Sequence, residues 1–186
     1  KARKNLEFIL ENSPEEDEKY YVKGIKVYEY LMKDTEDEEI IKSYQDRAIQ
    51  LYRQRFDIYG QDEQLQNQYL SSIYRYWIKT PAKYDSLSSL FQARFDENIS
   101  AVSSSNFLAY FDVMRRTKAY KMPLDETLVL NNYDNILPVI NERGDEKGYM
   151  EKIEQLLFDI VPMNCEKIES IYGKDLSELA SAKRYL

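Results

Sequence analysis

Side chains that commonly catalyse reactions are scarce in this sequence of 186 residues. It has no histidine, the commonest general base and transition-metal ligand, and its single cysteine cannot form an internal disulfide or a thiolate zinc site. Its five glycines are scattered and form no phosphate-binding loop. The 33 aspartate and glutamate residues leave carboxylate catalysis open, but their spacing singles out no acid–base pair. We therefore predict no catalytic residue, no metal site and no cofactor.

The single cysteine, Cys165, admits two interpretations. It follows Asn164, which can cap a short helix to Tyr172, so the thiol would lie at a helix N-terminus. That position lowers the pKa of a thiol and makes some cysteines reactive. A free cysteine is also a common small core residue, and this is the interpretation that we favour.

Two acidic runs, residues 15–18 and 36–39, raise the hypothesis of a cation site. Each also follows a serine or threonine at the distance of a capping box, with Ser13 and Thr35 as the predicted N-caps. Negative charge in a first helical turn offsets the helix dipole, whereas calcium ligands need a loop with alternating oxygens. We therefore predict that two helices begin there and that no metal binds.

The basic side chains Arg115, Arg116, Lys118 and Lys121 form the one notable positive cluster in the sequence. An anion or nucleic-acid site is one interpretation. The other is favourable charge near the C-terminus of a helix. We favour the second, because a net charge of −7 makes the chain a poor match for nucleic acid or an anionic membrane.

The elements that must position these side chains are all predicted to be helices. Eight amphipathic stretches follow one another with only short turns between them, and no stretch has the alternation of a strand. No apolar run approaches the ~18 residues of a membrane span. Pro138 is expected to kink or shorten its helix, and a last weak helix is predicted at 176–185. The other predicted boundaries lie at Gly60, Asp62, 80–81, 98–105, Pro123, Asp125 and 143–145.

Small residues recur at matching places, which suggests a repeat of helix pairs. Gly24, Ser71 and Ala109 each lie midway along the first helix of a predicted pair, where a small side chain lets two helices approach closely. Residues 1–13 match the second helix of a tetratricopeptide repeat. The spacing between the small residues exceeds the standard period of about 34 residues, so the repeats are divergent and long, and HEAT-like packing stays open. The matching positions in the first segment are Ala2, Leu6, Ile9 and Pro14.

A family resemblance rests on the blocks 20–29, 48–60, 153–157, 164–168 and 170–173. In order and spacing these blocks are similar to a family of largely uncharacterised tetratricopeptide-like (TPR-like) proteins of Gram-negative bacteria. The resemblance covers nearly the whole chain. It implies an all-α fold, an α-solenoid of antiparallel helix pairs that form a superhelix. It implies no catalytic residues, because none is well established for the family.

The resemblance also bears on domain organisation and location. It implies that residues 1–186 form a single TPR-like helical repeat domain. Because the sequence starts inside a helical pattern, we expect it to be part of a longer protein, with 1–13 as the second helix of an incomplete first repeat. Relatives often carry export signals, which suggests the periplasm or cell envelope, with the cytoplasm as the alternative.

Tyrosine is unusually common, with 17 residues. Most lie on the apolar stripes and are expected to pack between helices, while the remainder are expected to line a partner-binding groove. In a TPR-like stack the first helix of each pair lines the concave face, and the small residues set the register. This projection places on that face Tyr21, Tyr28, Gln68, Ser72, Arg75, Asn106 and Tyr110.

Two functions follow from these expectations. The first is a non-catalytic scaffold whose concave face binds a protein or an extended peptide through rings and side-chain amides. The alternative is a structural module that self-associates, for example as a homodimer, or packs on flanking repeats. A helical enzyme that uses carboxylates is the least favoured class, because no acid–base pair is apparent.

Overall fold

The computed structural model describes residues 2–145 and 147–161. All regular secondary structure in these residues is helical, which confirms the all-α class. None of the helices there is both long enough and apolar enough to cross a membrane. The α-helices are α1 (Ala2–Asn12), α2 (Lys19–Lys33), α3 (Glu38–Tyr59), α4 (Glu63–Trp77), α5 (Tyr84–Asn98), α6 (Ser104–Ala119), α7 (Glu126–Arg143) and α8 (Tyr149–Ile160).

Several helix boundaries lie where the sequence predicts them. Asp62 caps α4, because its carboxylate accepts a hydrogen bond of 2.7 Å from the backbone N–H of Leu65. Asp125 caps α7 in the same way. Gly60 and Gly144 end α3 and α7 with φ values of +79° and +75°, a region that favours glycine.

The predicted capping box at Ser13 is wrong. The backbone N–H of Ser13 donates to the carbonyl of Ile9 at 2.8 Å, so Ser13 completes the last turn of α1. The next helix, α2, begins only at Lys19, whose N–H donates to the carboxylate of Asp17 at 2.8 Å. The acidic residues 15–18 therefore precede the helix, where they take part in the turn between α1 and α2.

The predicted capping box at Thr35 is also displaced. The N-cap of α3 is Asp37, whose carboxylate accepts hydrogen bonds from the backbone N–H groups of Glu39 and Ile40. Thr35 accepts from the N–H of Asp37 itself and so supports the turn before the cap. A carboxylate that reaches two orphan amide groups is the stronger cap of the two.

The remaining boundaries agree with the sequence in outline. A short 3-10 turn at Pro81–Lys83 precedes α5, and another at Ile99–Ala101 separates α5 from α6. Pro138 lies inside α7, which continues past it to Arg143 and so is not shortened by it. The predicted helices at 164–172 and 176–185, together with Cys165, lie outside the described residues.

The chain divides into two compact units, Lys1–Ala109 and Tyr110–Leu186, with the division inside α6. In the first unit, α2 and α3 run antiparallel. The ring of Tyr21 near the start of α2 packs 6.1 Å from that of Tyr59 at the end of α3, measured between centroids. Near the opposite ends of the two helices, Tyr28 and Tyr44 lie 5.6 Å apart. Edge-to-face and tilted rings of this kind add to the stability of the pair beyond their burial.

Gly24 allows the closest packing in the first unit. A Cβ atom built there would lie 2.9 Å from Leu51 Cδ1 on α3 and 3.1 Å from Leu6 Cδ2 on α1. The absence of a side chain therefore lets α2 lie between α1 and α3, which confirms the reason given for a small residue at this position. The core around it consists of Leu6, Leu10, Tyr21, Ile25, Tyr28, Ala48, Leu51, Tyr52 and Leu65.

The second unit has its own core within the residues that the structure describes. Apolar side chains of α6, α7 and α8 are fully buried there, among them Phe111, Ile136 and Ile153. A buried hydrogen bond of 2.8 Å joins the side-chain amide of Asn132 to the hydroxyl of Tyr110. Each of these two polar groups is thereby paired, as a buried polar group needs to be.

Candidate functional site

Helices α2 and α4 lie side by side in the first unit, in the same direction. Near their C-terminal ends, the guanidinium of Arg75 contacts the carboxylate of Glu29 at 2.9 Å. In the N-terminal halves of the two helices, Val22 of α2 and Leu65 of α4 line one shared cleft, which is described below. The ion pair toward one end and the shared cleft lining toward the other indicate a parallel arrangement, with α3 between the two helices in the chain.

The start of α6 is bonded to α4 by a network of side-chain amides. The amide of Asn106 donates to the backbone carbonyl and the side-chain oxygen of Asn67, both at 3.0 Å, and accepts from the hydroxyl of Ser71 at 2.8 Å. Asn67 also accepts from the backbone N–H of Ser103 at 2.8 Å. This network holds the segment before α6 beside the middle of α4.

A first cleft of about 590 Å³ lies between these elements. On α2 its lining residues follow Val22 by three, four and seven positions, and on α4 all but Leu65 follow the same one-face pattern from Gln64, so each helix turns one face toward the cleft. Tyr52 of α3 and two serines near the start of α6 complete it. The lining residues are Val22, Ile25, Lys26, Glu29, Tyr52, Gln64, Leu65, Asn67, Gln68, Ser71, Ser72, Arg75, Ser103 and Ser105.

The lining combines a few apolar side chains with many neutral polar groups. Ile25 and Leu65 are buried, while Gln64 and Gln68 are exposed. Side-chain amides both donate and accept, and hydroxyls do the same. A surface of this composition can pair with the N–H and C=O groups of a peptide backbone while its apolar side chains contact those of the ligand.

Tyr52 contributes a hydroxyl that stays protonated. Burial raises the pKa of Tyr52 above its ordinary value, and the nearby charge of Glu29 acts in the same direction. The hydroxyl lies 3.3 Å from that of Ser72, so the two can form a hydrogen bond in the wall of the cleft. Tyr52 is therefore suited to hydrogen bonding in this cleft.

The structure brings together three of the seven predicted site residues. Gln68, Ser72 and Arg75 all line the first cleft, although Ser72 is only 2% exposed. Asn106 is buried and adjoins the cleft through its hydrogen bonds to Asn67 and Ser71. Its side-chain amide therefore contributes to the cleft by holding Asn67 and Ser71 in position.

The other predicted residues are core tyrosines. Tyr21 is 1% exposed, and its hydroxyl donates to the carbonyl of Pro14 at 3.1 Å. Tyr28 is 5% exposed and donates to the carboxylate of Glu7. Tyr110 is buried in the second unit. None of the three lines the first cleft, so we do not propose them as partner contacts.

Sequence analysis did not single out Lys26 and Glu29, which line the cleft from α2. Both follow Val22 at helical spacing, at positions four and seven residues later. Lys26 and Glu29 share a helix face with Val22, and this spacing is the signal in the sequence that could have identified them. The predicted register instead placed the tyrosines of α2 on that face.

Two smaller clefts lie nearby in the first unit. The second cleft, of about 220 Å³, is lined by Glu18, Val22, Arg55, Asp62, Gln64, Leu65 and Gln68. The third, of about 210 Å³, is lined by Phe56, Gln61, Gln66, Tyr69, Leu70, Leu90, Ala93, Arg94 and Glu97. Within 2–145 and 147–161, no group of three or more acidic or cysteine side chains is arranged to hold a metal ion.

The basic cluster of α6 is paired with carboxylates of the second unit. Asp112 accepts from Arg115 at 2.8 Å and from Arg116 at 2.7 Å, and Lys118 contacts Glu126. The pairs with Asp112 are one helical turn apart, a common arrangement on a solvated helix face. The two carboxylates, Asp112 and Glu126, offset half of the positive charge of the four basic side chains.

Comparison of the chain with protein-family models, with curated proteins and with solved structures found no match.

Proposed function

We propose that this protein is a non-catalytic scaffold that binds an extended peptide segment of another protein in the first cleft. The supporting observation is the composition of the cleft: amides and hydroxyls from α2, α4 and the start of α6 surround buried apolar side chains in a space of about 590 Å³. Clefts of this size hold a ligand of several residues or a small molecule. The polar groups suit a backbone whose N–H and C=O groups need partners.

We also propose that the helices form an α-solenoid of antiparallel pairs, as in TPR-like proteins. Two features support this arrangement. The antiparallel pair α2–α3 is followed by α4, which runs parallel to α2, so one pair succeeds another. The intervals between the starts of α2, α4 and α6 exceed the ~34 residues of a standard repeat, so the repeats are long.

An alternative function is self-association through an exposed helix face. Phe8 on α1 supports it, because 67% of this large apolar side chain is exposed. Single exposed apolar residues are common on monomeric proteins, and a dimer interface needs a contiguous patch. Binding in the first cleft therefore remains the function that the geometry supports better.

The experiment uses a displayed library of random peptides selected on the wild-type chain. The blocking variant is Gln68→Trp, because Gln68 is exposed and lines both the first and second clefts. A tryptophan there fills the space without entering the core. We expect the selected peptides to lose at least about tenfold in affinity for the variant, as when a partner is excluded from a binding pocket.

The control is Gln155→Trp, the same substitution at an exposed position of α8 in the second unit. It should bind the selected peptides like the wild type, and both variants should keep the wild-type thermal unfolding curve. Failure to select any binding peptide, or peptides that bind the Gln68→Trp variant undiminished, would contradict the proposed function.

A further inference from the structure

The first and second clefts adjoin each other between α2 and α4. They share four lining residues, Val22 on α2 and Gln64, Leu65 and Gln68 on α4. Since the two helices are parallel, the groove follows them from their N-terminal ends to their C-terminal ends. We refer to this joined space as the groove.

The two ends of the groove carry opposite charge. From the middle of α2 toward the C-terminal ends of both helices, the groove is lined by Lys26, Arg75 and one carboxylate, Glu29, which leaves a net positive charge. Arg75 is 60% exposed and so remains accessible beside its ion pair. No carboxylate of the described residues pairs with Lys26.

At the N-terminal end, two carboxylates and one buried cation line the groove. Arg55 is 8% exposed, pairs with Glu18 at 2.9 Å and donates to the carbonyl of Gly60. Asp62 lines the same end while it caps α4. The side chain of Glu18 is half exposed, so this end presents a net negative charge to a ligand.

The distance between the charged ends sets the length of ligand that reaches both. Glu18 and Lys26 lie eight positions apart along α2, and Asp62 and Arg75 lie thirteen positions apart along α4, so a helical rise of about 1.5 Å per residue separates the ends by roughly 12 to 20 Å, with a mean near 16 Å. An extended peptide advances about 3.3 Å per residue, so about five residues span that distance.

We propose that the groove selects an extended peptide that carries a basic and an acidic side chain about five residues apart. The basic side chain lies at Glu18 and Asp62, and the acidic one lies at Lys26 and Arg75. This inference rests on the proposed function and adds a charge pattern to it. Complementary charges at the rim of an interface favour the correct partner and disfavour wrong ones.

The test uses four synthetic peptides with blocked termini and one neutral background. Each peptide carries one pair of test residues, with four residues between the two positions. The four pairs are Lys and Glu, Lys and Lys, Glu and Glu, and Gln and Gln. Fluorescence anisotropy measures their affinity for the wild type, for Lys26→Glu and for Lys23→Glu. Lys23 is exposed on α2 and does not line the groove, so the two variants share the same net charge and differ in where it lies.

We expect the wild type and the Lys23→Glu variant to prefer the Lys/Glu peptide over the other charged peptides by about fivefold, because each of those replaces one weak exposed ion pair with a like-charge contact. The Lys26→Glu variant should prefer the Lys/Lys peptide instead. The preference should fade in 1 M salt, where the screening length falls to about 3 Å.

Two results would distinguish a failure of the charge pattern from a failure of the peptide-binding function. Equal binding of all four peptides, or an unchanged preference in the Lys26→Glu variant, would overturn the charge pattern and leave the peptide-binding function intact. Absence of binding by all four peptides, together with a failed library selection, would overturn both.

Discussion

Tyr28 illustrates how a residue predicted to bind a partner serves the core instead. Its hydroxyl donates to the carboxylate of Glu7 on α1, which also accepts from Arg47 of α3. Burial raises the pKa of Tyr28 to about 12, and the hydrogen bond to Glu7 adds to this effect. These three side chains therefore join α1, α2 and α3 through one charge-assisted network.

Glu7 gives this network a dependence on pH. Burial by itself raises the pKa of Glu7, but the hydrogen bonds from Arg47 and Tyr28 and the nearby positive charge lower it below its ordinary value. A carboxylate with a lowered pKa in the folded state stabilises the fold above its unfolded-state pKa. That stabilisation is lost as the pH falls through the folded-state pKa.

We predict that Tyr28→Phe lowers the free energy of unfolding by about 1–2 kcal/mol at pH 7, because a hydrogen bond to a charged group is lost. The loss should be smaller at a pH below the lowered folded-state pKa of Glu7, where the protonated carboxyl accepts a weaker hydrogen bond. Urea unfolding at the two pH values measures the difference. An equal loss at both would show that the charge of Glu7 does not contribute.

At the scale of the helix, boundaries were predictable where one capping residue had no competitor. Asp62 and Asp125 each follow a glycine or a proline by two residues and directly precede an amphipathic run. Ser13 and Thr35 do not mark the observed helix starts, because an aspartate lies closer to the helix in both segments. Which residue caps then depends on where the helix packs, and local sequence does not determine that.

The candidate site was predictable in part for a similar reason. The register of α4 placed Gln68, Ser72 and Arg75 on one face, and the structure finds them in one cleft. The tyrosines of α2 were misplaced because their hydroxyl partners come from elsewhere in the sequence. Pro14 and Glu7 supply those partners, and periodicity within α2 carries no information about them.

The packing of α2 at Gly24 leads to a second prediction. Gly24→Ala should change the free energy of unfolding by less than about 1 kcal/mol, because the higher helix propensity of alanine offsets the shift required of Leu51. Gly24→Leu should cost about 1–3 kcal/mol, since the added atoms overfill a close contact. Urea unfolding measures both variants, with Lys23→Leu at an exposed position as the control. Full stability of Gly24→Leu would mean that the helices separate more easily than their packing indicates.

At the scale of the whole molecule, the proposed binding functions belong to the first unit. All the residues that line the groove precede Ala109, where that unit ends. In the second unit, Tyr110 of α6 pairs with Asn132 of α7, and Lys118 of α6 pairs with Glu126 of α7. The charge pattern of the groove is set by α2, α3 and α4 and by the residues that immediately precede α2 and α4.

The two candidate functions differ in the association state that they predict. The exposed large apolar side chains are distributed over several helices, with Phe8 on α1, Tyr30 on α2 and Phe158 on α8 among them. Single residues of this kind do not make a contiguous interface, and a net charge of −7 opposes close approach of two copies. We therefore expect the chain to be monomeric in light scattering across a wide concentration range, and Phe8→Glu to leave its mass unchanged. A dimer that Phe8→Glu dissociates would contradict this expectation and favour assembly through α1, because a charge at the centre of an apolar interface is costly to bury.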